Sequence, residues 1–204
     1  MDEIKYKILL LGDSAVGKSS LMIRFTDNFF EINNVSTIGI ASKIKKIKIN
    51  NQKIKLDIYD TGGQERYHSI AQNYIRNANG IIFVFDLNQE KTFKNITNWL
   101  TTCDEVIKDY PKILVGNKLD LEDREIDTKE AEELCEKHKM KYFETSAKKD
   151  INVEKIFYEI ARLILDSKQK EENEKENEKE NELSIQNSII TIKNNKEKKK
   201  KKCC

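Results

Sequence analysis

Gly12-Asp13-Ser14-Ala15-Val16-Gly17-Lys18-Ser19 fits the pattern G-x-x-x-x-G-K-[ST], and its residue types suit the capture of a polyphosphate. Glycines let backbone N–H groups and a helix N-terminus close on a β-phosphate. Lys18 brings a cation to the β- and γ-phosphates, and the Ser19 hydroxyl is a hard oxygen ligand for Mg²⁺. The candidate nucleotide contacts here are Asp13, Ser14, Ala15, Val16, Gly17, Lys18, Ser19 and Ser20. Taken alone, this stretch leaves kinases, ATPases and GTPases open, and a plain strand-to-helix turn uses glycines too.

Three further segments narrow the chemistry. Asn117-Lys118-Leu119-Asp120 follows a short apolar run, so Asp120 stands at a strand end, where a carboxylate can accept two hydrogen bonds from guanine N1 and N2. Adenine lacks that donor pair. Thr145-Ser146-Ala147-Lys148 follows the last strand pattern and brings backbone N–H groups and a lysine to the same edge; Ser146, Ala147 and Lys148 join Asn117, Lys118 and Asp120 as candidate base contacts. Asp60-Thr61-Gly62-Gly63-Gln64 ends another strand. It offers a carboxylate for Mg²⁺ at Asp60, an N–H for a γ-phosphate at Gly63 and an amide that can orient water at Gln64. Gln64 and Lys18 are the candidate catalytic residues.

The elements that must hold these residues are legible in the apolar pattern. Ile4 to Leu11 is a β-favouring run that stops at Gly12, and Lys18 to Asn28 has helical spacing. Lys43 to Ile49 and Ile54 to Tyr59, separated by Asn50-Asn51, predict a β-hairpin. Gly80 to Phe85 and Ile113 to Val115 are wholly apolar, as strands buried on both faces of a parallel sheet are. The pattern predicts helices over Thr92 to Lys108, over Thr128 to Lys139 behind the capping box Asp127-x-x-Glu130, and over Asn152 to Asp166, with Tyr142-Phe143 in a last strand. Strands alternating with helices predict an α/β, doubly wound, mostly parallel sheet with helices on both faces and one antiparallel edge strand, its ligand at the carboxyl ends of the strands.

The chain has 204 residues, of which 35% are charged and 38% hydrophobic, so one core-bearing domain (residues 1–166) and a polar appendage (residues 167–204) are expected. Lys168 to Glu182 carries four Lys and seven Glu, and Lys193 to Lys202 carries seven Lys and one Glu. The +2 of the whole chain then leaves the remainder at −1, which argues against a nucleic-acid binder resting on phosphate neutralisation. Like charges at i,i+4 in EENEKENEKENE oppose a helix, so the tail is expected to be a disordered spacer. No stretch approaches the length of an apolar membrane span, and no signal peptide is evident. The four cysteines lack zinc spacing, and His68 and His138 are expected to be ordinary surface residues.

In order and spacing, Gly12 to Ser19, Thr37, Asp60 to Gln64, Asn117 to Asp120 and Ser146 to Lys148 resemble the small GTPases of the Ras superfamily. Ser36-Thr37-Ile38-Gly39, Gln64-Glu65-Arg66-Tyr67, Phe93-x-Asn95 with Trp99-Leu100, and the terminal Cys203-Cys204 narrow the resemblance to the Rab family. It covers about residues 4 to 166 and the last two. The resemblance implies a three-layer P-loop GTPase domain with a six-stranded sheet, GTP/GDP and Mg²⁺ as cofactors, and slow hydrolysis of GTP. It further implies that Phe30 stacks on guanine, that Ser19, Thr37 and Asp60 serve the metal, and that residues 30–42 and 61–76 face effectors in vesicle-mediated transport. An exchange factor, a GTPase-activating protein, an escort protein and a GDP-dissociation inhibitor are the implied partners of a monomer. Prenylation at Cys203 and Cys204 would anchor it to the cytoplasmic face of an intracellular membrane, with a cytosolic pool. The rival readings are a non-hydrolysing GTP-binding adaptor, disfavoured by Gln64 and Thr37, and a P-loop phosphotransferase, disfavoured by Asp120.

The chain departs from the family at particular positions. Gly62 stands where Rabs usually have Ala, Ala41-Ser42 replaces Asp-Phe, and Tyr59 replaces Trp, so Ser42, Tyr59 and Tyr74 would form the effector-facing trio and the effector set should differ. No Arg lies between Phe29 and Ile40, so an arginine for hydrolysis must come from a partner. An apolar island from Leu183 to Ile192 interrupts the tail and is expected to dock on the escort and extraction proteins.

Overall fold

The structure is a computed structural model that describes residues 4–31, 39–62 and 68–174. Thr37, Gly63, Gln64, the apolar island, the terminal lysine run and Cys203-Cys204 lie outside the described residues. The chain divides into two compact units, Met1–Ile164 and Leu165–Cys204.

The first unit is built on a six-stranded sheet in the order β2-β3-β1-β4-β5-β6, with β1 at Ile4–Leu11, β2 at Ala41–Ile49, β3 at Gln52–Asp60, β4 at Gly80–Asp86, β5 at Lys112–Asn117 and β6 at Lys141–Glu144. All neighbours pair in parallel except β2 with β3, which run antiparallel. The hairpin forms because Asn50 and Asn51, at φ 47° and 64°, both take the left-handed conformation that a two-residue turn matched to strand twist requires. The apolar residues of β1 serve both faces. Tyr6, Ile8 and Leu10 enter one core layer with Leu21, Phe25, Phe157 and Ile160, and Leu9 and Leu11 enter the other with Phe83, Phe85, Trp99 and Cys103. Phe25 and Phe157 stack at 4.2 Å between centroids and fix the first layer.

Helix α1 spans Lys18–Asp27, α2 His68–Asn77, α3 Glu90–Lys94, α4 Ile96–Val106 and α5 Thr128–His138. A sixth helix, α6, begins at residue 153, and its part in the first unit contributes Ile156, Ile160 and Ile164 to the core. The capping expectation for α5 holds in one half: the Asp127 carboxylate accepts the Lys129 N–H at 3.2 Å.

The structure departs from expectation in four places. The helix expected over Thr92 to Lys108 is two helices that meet at Asn95, whose side chain bonds Asp13. α2 has no expectation in the sequence, where Ile75, buried in the structure, stands amid polar residues that give a weak period. In the second unit, residues 165–174 are helical, past the expected end at Asp166 and into the segment expected to be disordered. His138 is half-buried and not simply on the surface. Its Nε2 is enclosed without a hydrogen-bond partner, and burial, with the Lys112 charge, holds its pKa below the ordinary value. Burial likewise pushes the Cys103 and Cys135 thiols up to about 12, so both are protonated members of the core at neutral pH.

Glu144 ends β6 and gathers Arg124 at 2.6 and 3.1 Å, Thr128 at 3.0 Å and Tyr142 at 3.0 Å, which pins the chain just before Thr145 and Ser146. Burial pulls the Glu144 carboxyl upward, but the hydrogen bonds from Arg124, Tyr142 and Thr128 outweigh it and the net pKa is lowered. A carboxyl below its unfolded value of about 4.3 contributes stability above that pH and loses it as pH falls through the lower folded value. Glu144→Gln should therefore cost about 1–3 kcal/mol at neutral pH in denaturant melts, with the gap to wild type closing below about pH 4. An equal gap at both pH values would contradict this account.

Candidate functional site

Of the eight buried polar or charged residues among the described ones, seven lie at or just after the carboxyl ends of β1, β3, β4, β5 and β6: Lys18, Asp60, Thr61, Asp86, Asn117, Thr145 and Ser146; the eighth is Thr92 on α3. Each of the seven is there because a loop leaves a strand at that edge and must satisfy its own polar groups.

The loop after β1 turns at Gly12, whose φ of 144° and approach to the Val84 carbonyl exclude a side chain; a Cβ there would lie 2.0 Å from that oxygen. Gly17 opens α1 at φ 97°, and a Cβ on it would meet Asn117 Nδ2 at 2.3 Å. Ala15 adopts φ 63°, and Ser14 and Ala15 are exposed at the loop's outer turn. Lys18 is buried and donates from Nζ to the Gly12 carbonyl at 2.8 Å and the Asp13 carbonyl at 2.6 Å, closing over the start of the loop. Val16 is buried in the core, and Ser20 follows Ser19 into the first turn of α1.

The Ser19 hydroxyl donates to Asp60 Oδ2, while Asp60 Oδ1 accepts the Gly62 N–H at 3.1 Å. Asp60 is fully buried. A buried carboxylate and a hydroxyl drawn together at a strand end form a hard-oxygen set, and that chemistry fits Mg²⁺. Thr61 is tied back by its hydroxyl to the Leu10 carbonyl at 3.2 Å, which fixes the exit of β3 beside the phosphate-type loop.

At the other end, Asn117 donates from Nδ2 to the Val16 carbonyl at 2.9 Å and accepts at Oδ1 the Thr145 hydroxyl at 3.1 Å. The Asn117 side chain thus braces two loops from a buried position. Lys118, at φ 69°, pairs its Nζ with Asp86 Oδ2 at 2.7 Å. Asp120 Oδ1 accepts the Ser146 hydroxyl at 2.5 Å, and Lys148 Nζ lies 3.9 Å from Oδ2. Ser146 Oγ in turn accepts the Lys149 N–H at 2.9 Å, so the hydroxyl is oriented from both sides. An ionised carboxylate has about four acceptor positions, so Ser146 leaves capacity on Asp120 for the donors of a purine edge.

Along one sheet edge the structure ties together the loops that carry Lys18, Ser19, Asp60, Asn117, Asp120 and Ser146. Asp13 turns its carboxylate toward the α3–α4 segment, accepting Asn95 Nδ2 at 2.6 Å and Trp99 Nε1 at 3.1 Å. Asn117 acts through its bonds to neighbouring loops. Two participants escaped the sequence reading. Asp86 is the buried counter-charge of Lys118. Arg24, in the last turn of α1, donates from Nε to the Ala147 carbonyl at 2.8 Å and from Nη2 to the Lys148 carbonyl at 3.3 Å, and its guanidinium lies 5.9 Å from the Phe30 ring centroid. The only sequence signal for it was a cation near the helix C-terminus, next to an apolar stripe.

The Ras family model matches residues 7–166 of the chain. The Ras-related protein Rab-10 of Diplobatis ommata is 44% identical over 172 residues, 83% of this chain and 86% of that protein. Rab-13 of Rattus norvegicus is 44% identical over 162 residues, 78% of this chain and 80% of its own length. Rab-8 of Diplobatis ommata is 40% identical over 199 residues, 97% and 91% of the two chains.

Arg24 props both the loop at Ala147-Lys148 and the ring of Phe30, so its loss should loosen both walls of the same cleft. Arg24→Ala is expected to release bound GDP roughly tenfold faster, equivalent to about 1.4 kcal/mol of charge-assisted hydrogen bonding, while single-turnover hydrolysis of nucleotide already bound stays unchanged. A wild-type dissociation rate would contradict the role.

Proposed function

We infer that this chain, which belongs to the Ras family and within it to the Rab small GTPases, uses the strand-end site described above as its guanine-nucleotide cleft. It is a GTP-hydrolysing switch of the kind that serves vesicle traffic. The observation that carries the residue assignment is the pairing of a glycine loop closed by Lys18 with an Asp120 carboxylate oriented by Ser146, both held by Asn117.

In this reading, the backbone from Asp13 to Ser20 and the Lys18 ammonium receive the phosphates, and Asp120 accepts the guanine N1 and N2 donors. Ser146, Ala147 and Lys148 wall the base opposite Phe30. Ser19 and Asp60 would hold Mg²⁺, with Thr37 as a further ligand from outside the described residues. The metal would supply charge neutralisation to the phosphates when bound. Gln64 and Gly63, both outside the described residues, are assigned to the attacking water and to the γ-phosphate. Because no arginine stands in the segment between Phe29 and Ile40, transition-state charge is only partly met in cis, and a GTPase-activating partner is expected to supply the rest.

The effector face is read as residues 30–42 and 61–76. Beside it stands Tyr59, opposite Ser42 in the β2–β3 ladder and 5.4 Å from Tyr74 between ring centroids. The Tyr59 hydroxyl donates to Asp57 at 2.8 Å, and that hydrogen bond, with burial, pushes its pKa up to about 12, so it remains a neutral donor across the physiological range. An exchange factor, an escort protein and a GDP-dissociation inhibitor complete the partner set, and prenylation at Cys203 and Cys204 provides the membrane anchor. Among the described residues no helix is long and apolar enough to cross a membrane.

The test is single-turnover phosphate release, with GTP and ATP compared for binding and Asp120→Ala alongside wild type. GTP-selective binding with slow release is expected, and the substitution should weaken GTP by about 10²–10⁴-fold, as two charge-assisted hydrogen bonds imply. ATP selectivity, or fast release by the chain alone, would overturn the assignment.

A further inference from the structure

We propose that the outer face of the β1–β2–β3 corner is a docking surface for an acidic polypeptide segment that carries one apolar side chain. In the antiparallel ladder Lys46 lies opposite Lys55 and Lys48 opposite Lys53, and in the parallel ladder Lys5 lies opposite Lys55. Lys46, Lys55 and Lys5 therefore form a row across three adjacent strands, with a second lysine pair one step along. Directly opposed side chains on a sheet start about 5 Å apart, and like charges there are destabilising.

Folding does not require this arrangement. Lysines on an edge strand discourage edge-to-edge pairing, which accounts for Lys46 and Lys48 on β2, but β3 and β1 are interior strands. Composition does not account for it either, since the chain outside the two charged tail blocks sums to −1 and its lysines need not align. The reverse face of the same hairpin shows what a folding lysine does: Lys43 pairs with Asp27 at 2.5 Å, and Lys45 donates to the Thr26 carbonyl at 3.1 Å. Among the described residues, no carboxylate pairs with Lys5, Lys48, Lys53 or Lys55. Alternation along β3 places one acid on the lysine face, Asp57, and its carboxylate accepts the Tyr59 hydroxyl.

A groove beside the lysines chooses among anionic partners. Lys7, which lies on the same face, also lines a cavity of about 320 Å³ walled by Leu9, Tyr59, Tyr74 and Ala78. Ile44, 54% exposed, stands between that groove and Lys46. A plane of lipid headgroups would engage the ammonium groups and leave the groove unused, whereas a polypeptide can seat an apolar side chain in it while its carboxylates lie over the lysines. The proposal gives the partner's chemistry for the effector face and rests on that reading only through the shared groove at Tyr59 and Tyr74.

The test measures fluorescence anisotropy of a labelled oligoglutamate peptide with a central Phe, titrated with the full chain loaded with GDP and, separately, with a non-hydrolysable GTP analogue. Binding that weakens about tenfold from low to physiological salt is expected, as screening of several charge pairs implies. It should be lost in a Lys48→Glu/Lys53→Glu/Lys55→Glu variant that still retains GDP, and persist in a Lys129→Glu/Lys137→Glu control on α5. Lys55→Gln, which relieves the like-charge row, should weaken the peptide several-fold with a thermal midpoint no lower than wild type. Peptide binding equal in both nucleotide forms would uphold the surface while separating it from the effector reading; binding confined to the GTP-analogue form would uphold both. Peptide binding that survives the reversal, a lowered midpoint in Lys55→Gln, or reversal-sensitive binding to phosphatidylserine vesicles without peptide binding would overturn the proposal.

Discussion

The hydrogen bonds of one buried amide, Asn117, hold the two halves of the proposed nucleotide cleft in register. From the end of β5 its Nδ2 reaches the Val16 carbonyl in the loop after β1, and its Oδ1 receives the Thr145 hydroxyl from the chain after β6. Only 1% of the residue is exposed, so neither bond has water as a substitute. A buried donor or acceptor left unpaired costs about 1–3 kcal/mol, and a carboxylate in its place would lack the donor that Val16 needs. Gly17 is part of the same constraint, because a side chain there would occupy the space of the Asn117 amide. The phosphate-type loop, its glycine and the base-facing loop are thus mutually dependent.

Around that tie the domain separates its chemistry from its stability. Both core layers are apolar and sit on the two faces of the sheet, while all but one of the buried polar residues among the described ones collect at the carboxyl ends of the strands. Lys118 on Asp86, Ser146 on Asp120 and Arg24 on the Ala147 and Lys148 carbonyls each fix a group that would otherwise swing in a loop. Such preorganisation lowers the cost of binding a charged ligand, because the dipoles are already aimed when it arrives.

Sequence periodicity revealed the strands, the hairpin turn and most helices because those depend on local alternation and on Asn, Gly and Asp at fixed offsets. The joint at Asn95 was invisible to it, as was the bond that the Asn95 side chain makes to Asp13, eighty-two positions away. The partner of Lys118 and the bracing by Arg24 were hidden for the same reason, since both are long-range contacts that exist only once strands are placed side by side. Net charge misled in a different way. A sum of −1 outside the tail blocks gave no hint of a basic face, yet the register of three strands lines up Lys46, Lys55 and Lys5. Helical residues 165–174 show that mixed-charge spacing alone did not set where the final helix ends.

The central claim is that Asn117 joins phosphate capture to base recognition and does not act on the base alone. The most direct measurement compares the affinities of Asn117→Ala and wild type for GDP and for GMP, which share the base but differ in the β-phosphate that the loop at Val16 would hold. The account predicts that the substitution weakens GDP at least tenfold more than GMP, a coupling of about 1.4 kcal/mol or greater. Equal losses for the two nucleotides would contradict it and confine Asn117 to the base side of the cleft.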